Sequence, residues 1–148
     1  MTTTREDLGA LVRFEIDLWN AVEHALRRSP GAVSLGRHDA LLRISAGEAG
    51  VREVAEALHI TVGAASRLTD RLVADDLVDR EAHPTDRRAV RLALTPIGVA
   101  ALAVTTPAIE AALEDILGTD GAAELHDAVA LLGRITRRSQ QASKEPAR

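Results

Sequence analysis

Two arginines four positions apart, Arg67 and Arg71, are the side chains in this sequence whose type and spacing best suit a chemical task. A separation of four places them one turn apart on the same face of a helix. Their planar guanidinium groups match phosphate oxygens and the O6 and N7 acceptors of guanine. Ser66 adds a hydroxyl for a phosphate or a base edge, and Gly63 and Ala64 are small enough to permit close approach. This pattern indicates recognition of double-stranded nucleic acid, although any surface helix also places Arg, Ser and Asp outside.

A second group of cations follows in the loop Asp86, Arg87 and Arg88. The loop joins two short extended segments, so the sequence predicts a hairpin with a charged tip. Arginine at such a tip can enter a minor groove, whose negative potential attracts it. Because Asp86 would repel phosphate, we expect it to hold an arginine in position. An ordinary solvated turn is the alternative, and it is disfavoured because the hairpin directly follows the candidate reading helix.

The elements that must position these residues are read from the apolar spacing. Thr61 is a predicted N-cap, and the helix it opens carries an inward stripe of Val62, Ala65, Leu68, Leu72 and Val73. A proline at 96 after Thr95 opens a later long helix, with a kink expected at Pro107 and a break between Gly118 and Gly121. The predicted helices cover 4–28, 35–45, 51–58, 61–73, 96–117 and about 125–136, and the predicted strands cover 77–81 and 89–94.

Composition restricts the function classes. The chain has 148 residues, a formal charge of -4 and no cysteine, which excludes disulfides and thiol chemistry. Residues 61–91 contain six Arg against six Asp or Glu, so any nucleic-acid binding depends on a few placed arginines. The five histidines show no metal-ligand spacing, and no nucleophile elbow or Gly-rich phosphate loop is present, so we expect no enzyme, metal or cofactor. With neither a signal peptide nor a membrane span expected, a cytoplasmic protein is the default.

The segment from Asp86 to Gly98, which contains Arg88, Leu92, Leu94 and Thr95, closely resembles the D-x-R…L-x-L-T-x-x-G wing signature of the MarR (multiple antibiotic resistance regulator) family. Residues 64–72 look like that family's recognition helix. The resemblance implies a homodimeric winged-helix repressor or activator on a short pseudo-palindrome, with Arg88 as the minor-groove arginine and Asp86 as its brace. It also implies dimerisation through the terminal helices and a small effector. His59 departs from the pattern, since many helix-turn-helix units place glycine in that turn.

The outer helices favour a partner, because each carries a long apolar stripe that the small central unit cannot cover. A symmetric dimer buries these stripes, and an intramolecular bundle is the alternative. Trp19 on the first helix is a candidate for stacking a flat aromatic or anionic effector, although a lone Trp at helical spacing is more often interface core.

The sequence therefore predicts a mainly α fold with a small β-hairpin wing in one domain, 1–148. Within it, 35–98 form the DNA-binding lobe, 4–28 and 96–138 form the dimerisation region, and 139–148 form a polar tail that frays. The first hypothesis is a ligand-responsive transcription regulator that binds double-stranded DNA as a homodimer. The alternatives are a winged-helix module without an effector and a helical small-molecule binder that does not contact DNA.

Overall fold

The computed structural model describes residues 5–47, 49–82 and 90–142. It confirms the mainly α fold with one hairpin. The elements, in chain order, are α1 (Arg5–Arg27), α2 (Leu35–Ser45), α3 (Val51–Ala57), α4 (Val62–Ala74), β1 (Val78–Ala82), β2 (Val90–Leu94) and α5 (Pro96–Ala142).

The chain divides into two compact units, Met1–Glu110 and Ala111–Arg148. The hydrophobic core of the first unit lies where α2, α3, α4 and the hairpin meet. Its fully buried large side chains include Leu41, Val54, Leu72 and Val78. These residues come from four different elements, so the core fixes the helix-turn-helix and the hairpin as one lobe.

β1 and β2 pair antiparallel, from Val78 opposite Leu94 to Ala82 opposite Val90. A third segment extends this pairing, because the amide of Leu92 donates to the carbonyl of Ala49 at 2.7 Å. The connection between α2 and α3 therefore lies at the edge of the hairpin, and the sequence pattern gave no sign of it.

The start of α5 lies against the start of β1. The amide of Thr95 donates to the carbonyl of Leu77 at 3.1 Å, and its hydroxyl donates to the carbonyl of Asp76 at 2.6 Å. The same hydroxyl accepts from the amide of Gly98 at 3.0 Å, which confirms Thr95 as an N-cap. A Cβ atom at Gly98 would lie 2.0 Å from the Leu77 carbonyl oxygen, so only glycine permits this approach.

Three side-chain hydrogen bonds tie the flanking helices to α2 and to the residues just before it. Glu23 of α1 accepts from the amide of Leu35 at 2.7 Å, and the hydroxyl of Thr105 in α5 accepts from the amide of Val33 at 3.0 Å. The buried His38 of α2 lies 3.0 Å, through Nε2, from the hydroxyl of Thr106. The lobe is thus held to α1 and to the first part of α5.

α5 has the predicted break. Its backbone is interrupted at Gly118, with φ 65° and ψ 176°, at the start of the break expected between Gly118 and Gly121. The φ and ψ angles at Pro107 are helical, and the kink expected there stays a prediction. Proline keeps a φ near that of a helix, whereas positive φ is accessible to glycine without a Cβ clash. The helix continues to Ala142, into the segment 139–148 that the sequence predicts as a fraying polar tail.

The stretch Pro96–Arg138 meets the length and composition of a membrane-spanning helix. Its most apolar 18-residue window has a mean hydropathy of 1.5, and 22% of that window is buried. Acidic residues such as Glu110 and Glu114 interrupt this stretch, so it contains no unbroken run of about 18 apolar residues. Helix length and mean hydropathy are the two properties that single out this stretch.

Candidate nucleic-acid interface

α3, the turn after it and α4 form a helix-turn-helix. The amide of Ile60 donates to the carbonyl of Ala55 at 3.0 Å and the amide of His59 to that of Glu56 at 3.3 Å, which closes the turn. His59 has a φ of 53°, the left-handed conformation that favours glycine. The departure from the family pattern at this position therefore leaves the turn formed, with histidine in the conformation glycine would take.

Thr61 caps the reading helix as the sequence predicts. Its φ and ψ of -69° and 152° are extended, and its hydroxyl accepts from the amide of Ala64 at 3.2 Å. The buried residues of α4 are Ala65, Thr69 and Leu72. The assignment of Val62 to the inward stripe is wrong, because 53% of its surface is exposed. As the first residue of α4, Val62 precedes the first buried position, Ala65, so helical period alone misplaces it.

The predicted reading residues share one exposed side of α4. Arg67, Arg71 and Gly63 are exposed, and Ser66 and Ala64 are half-buried. A Cβ atom at Gly63 would lie 3.7 Å from Nη1 of Arg67, so this guanidinium lies back along the helix towards its N-terminus. Neither arginine forms an ion pair with any residue in the described ranges. Both guanidinium groups are therefore open to an external anion or base.

Three other arginines of the lobe form ion pairs. Arg80 of β1 binds Asp70 of α4 at 2.5 Å, and Arg91 of β2 binds Glu81 of β1 at 2.6 Å. Glu81 and Arg91 are directly opposite in the hairpin register. A third pair joins Arg37 of α2 to Asp75 at the C-terminal end of α4, also at 2.5 Å. These arginines brace the lobe, whereas Arg67 and Arg71 do not.

The hairpin confirms the predicted wing up to its tip. β1 and β2 are in register as far as Ala82 and Val90. The tip residues Asp86, Arg87 and Arg88 lie outside the described residues. Their roles in bracing the wing and reaching a minor groove stay predictions.

At the other end of the helix-turn-helix, a carboxylate caps α3. Oε2 of Glu53 accepts from the amide of Gly50 at 2.8 Å. The backbone amides of Glu53 and Gly50, with smaller contributions from the charges of Arg43 and Arg52, hold the pKa of Glu53 below its ordinary value. This negative charge at the N-terminus of α3 stabilises the helix through its macrodipole.

Trp19, the candidate effector residue, lies on α1 with 42% of its surface exposed. It lines a shallow depression of about 250 Å³ with Glu15, Ile16 and Asn20, all from the same helix. This depression is a helix surface, and its residues do not enclose a ligand by themselves. Within the described ranges, no group of three or more His, Asp or Glu residues is placed to hold a metal ion.

A helix-turn-helix followed by an antiparallel hairpin, with free arginines on the second helix, defines the winged helix-turn-helix class of DNA-binding protein. Residues 26–89 match the model of the MarR family. This match confirms the resemblance drawn from the sequence for the segment that holds the helix-turn-helix. Proteins of the MarR family are DNA-binding transcription regulators and are not enzymes.

Solved structures share the fold over almost the whole chain. Sco3205 from Streptomyces coelicolor, a MarR family transcriptional regulator in complex with DNA, is 22% identical with a TM-score of 0.74, covering 100% of this chain and 96% of its own. Bordetella bronchiseptica BpsR, whose DNA binding is regulated by 6-hydroxynicotinic acid, is 22% identical with a TM-score of 0.75 and coverage of 92% and 97%. CouR from Rhodococcus jostii RHA1, bound to p-coumaroyl-CoA, is 23% identical with a TM-score of 0.72 and coverage of 100% and 100%. A comparison by sequence with curated proteins gives no match.

Proposed function

We propose that this protein is a cytoplasmic transcription repressor that binds a pseudo-palindromic operator as a homodimer and is released by a small aromatic or anionic effector. The observation that carries the proposal is the pair of exposed, unpaired arginines one turn apart on α4. In this reading α4 enters the major groove, and the wing contacts the adjacent minor groove. The proposed DNA-contacting residues are Thr61, Gly63, Ala64, Ser66, Arg67, Arg71, Arg87 and Arg88.

The charge distribution supports recognition by a few residues. The net charge of the chain is -4, so bulk electrostatic attraction to DNA is weak. Arg37, Arg80 and Arg91 already neutralise carboxylates of the lobe. Arg67 and Arg71 are free of such pairs and lie on α4, so they can attract phosphate and guanine, together with the arginines at the wing tip.

The exposed apolar surface supports a homodimer. α1 exposes Leu8, Leu11, Val12, Phe14, Ile16 and Trp19 in the single chain. The last part of α5 exposes Val129, Leu131, Leu132 and Ile135. Exposed apolar surface of this kind marks an interaction site, and a second copy of the chain would cover it. Binding to one face of DNA would require the two copies of α4 in the dimer to lie about 34 Å apart, one helical turn.

An effector is supported by the ligands of structural neighbours. 6-Hydroxynicotinic acid regulates DNA binding by BpsR, and CouR is bound to p-coumaroyl-CoA. Both ligands are aromatic and anionic. We propose the same chemical class for this chain, with Trp19 as a candidate contact whose remaining partners come from outside α1.

The proposal is tested by fluorescence anisotropy with labelled duplex that covers the DNA flanking the coding region. The affinity of the wild-type protein should fall steeply as salt rises, since phosphate contacts release counterions. Arg67→Ala should change the preference among operator variants, because each base contact is worth about 1–3 kcal/mol. Arg71→Ala and Arg88→Ala should weaken binding several-fold while the dimer stays intact in analytical ultracentrifugation.

Arg37→Ala is the matched control, since it removes the same charge from the same lobe but breaks only a bracing ion pair. An equal loss of affinity in Arg37→Ala and Arg67→Ala would refute the special role of α4. Small aromatic and anionic metabolites are then added to the complex. A dimer that binds DNA and is released by none of them would favour a winged-helix module without an effector.

A further inference from the structure

We propose that Val62 reads the C5-methyl group of thymine in the major groove and so determines part of the sequence specificity. This inference rests on the proposed function, because it requires α4 to enter the groove. It adds an apolar contact to the contacts proposed for the arginines and the small residues of α4.

The position of Val62 sets it apart from the other apolar residues of α4. It is the first residue of the helix and is 53% exposed, whereas Ala65 and Leu72 are fully buried. Ile60, two residues earlier, is 37% exposed. The two side chains share one open depression of about 470 Å³, and its other lining residues are Arg52, Ala55, Glu56 and His59. The chain at the N-terminal end of α4 therefore exposes two apolar side chains, Ile60 and Val62, beside the charged residues Arg52 and Glu56.

The chemistry of the groove selects the partner. The N-terminal residues of a recognition helix contact base edges, and the only apolar group on those edges is the thymine methyl. Gly63 and Ala64, which follow Val62, carry at most one methyl group, so neither screens it from an approaching base. Valine cannot donate or accept a hydrogen bond, which leaves methyl contact as its means of discrimination.

The position of Arg67 limits the DNA sequences that the proposed half-site can have. The guanidinium of Arg67 lies back over Gly63, towards the end of the helix where Val62 lies. A methyl contact and an arginine contact to guanine then fall close together in the groove. We expect each half-site to contain a thymine beside or near a guanine.

The test begins with a duplex selected from a random library by the full-length wild-type protein. Each thymine of one half-site is then replaced by uracil, which lacks only the methyl group, and the Kd is measured by anisotropy at fixed salt. One thymine should show about a four-fold loss, the value expected for a single buried methyl group. In Val62→Ala, thymine and uracil at this position should bind equally well.

Val99→Ala is the matched control, because Val99 is 56% exposed in the first turn of α5 and lies outside the helix-turn-helix. It should keep the full thymine preference. The methyl contact would be overturned if no thymine-to-uracil change weakened binding by the wild type. It would also be overturned if Val62→Ala bound both duplexes more weakly but kept the wild-type preference for thymine over uracil. In either case, DNA binding by the wild type would still support the proposed function. Failure of the wild type to select any duplex would overturn both proposals.

Discussion

Replacement of Gly98 by alanine should destabilise the lobe more than any other glycine-to-alanine change in the described chain. The new Cβ would lie 2.0 Å from the carbonyl oxygen of Leu77 and 3.1 Å from its carbonyl carbon. Both contacts involve backbone, so no flexible side chain can move aside. Either the start of α5 or the start of β1 must move by about 1 Å to reach an ordinary contact distance.

The cost follows from the bonds that this movement breaks. The same Leu77 oxygen accepts from the amide of Thr95, and the Thr95 hydroxyl joins Asp76 to Gly98. Thr95 is buried, so an amide that loses its partner costs about 1–3 kcal/mol, and overpacking costs about the same again. Alanine regains up to about 1 kcal/mol through its helix propensity. The expected net loss in the free energy of unfolding is about 3 kcal/mol.

Urea denaturation followed by far-UV circular dichroism measures this loss. With a slope of about 2 kcal/mol/M, the midpoint should fall by about 1.5 M. Gly36→Ala is the control, because a Cβ there has no heavy atom within 4 Å, and it should leave the midpoint unchanged or raise it slightly. A Gly98→Ala midpoint equal to that of the wild type would refute the close approach of α5 to β1.

Two further predictions concern the helix-turn-helix. His59→Gly should raise the free energy of unfolding by about 0.5–1 kcal/mol in urea denaturation, because glycine adopts a φ of 53° without strain. His59→Ala keeps the strained backbone and should give no gain. Equal effects of the two substitutions would contradict this explanation. Glu53→Gln should cost about 0.5 kcal/mol at pH 7, since the folded-state pKa of Glu53 is depressed. That contribution is complete above about pH 4.3 and is lost as the pH falls through the folded pKa, so an undiminished difference at pH 3 in the same assay would disprove it.

The sequence predicted the elements of the lobe well because their signals are local. The Thr61 cap, the hairpin and the Thr95-Pro96 start of α5 each depend on a few adjacent residues. Helical period placed Val62 in the core because period reports which face a residue occupies and carries no information on where the core ends. The close approach of Gly98 to Leu77 could not be predicted from the sequence, because it depends on how α5 and β1 meet in space.

The arginines show the same limit and its functional consequence. Residues 61–91 contain six Arg and six acidic residues, and these counts alone do not show whether any arginine is free to bind DNA. The structure separates Arg80 and Arg91, paired with Asp70 and Glu81, from Arg67 and Arg71.

Exposed ion pairs contribute about 0–1 kcal/mol each, so the value of these pairs lies in orientation more than in stability. The Asp70 pair joins α4 to β1, and the Thr95 contacts join β1 to α5. The reading helix and the described part of the wing are thus linked through one set of side chains. An effector that changed the spacing of the two α4 helices in the proposed dimer would therefore move each lobe together with its wing. Substitutions in the interior of the lobe should affect DNA affinity only by lowering the free energy of unfolding.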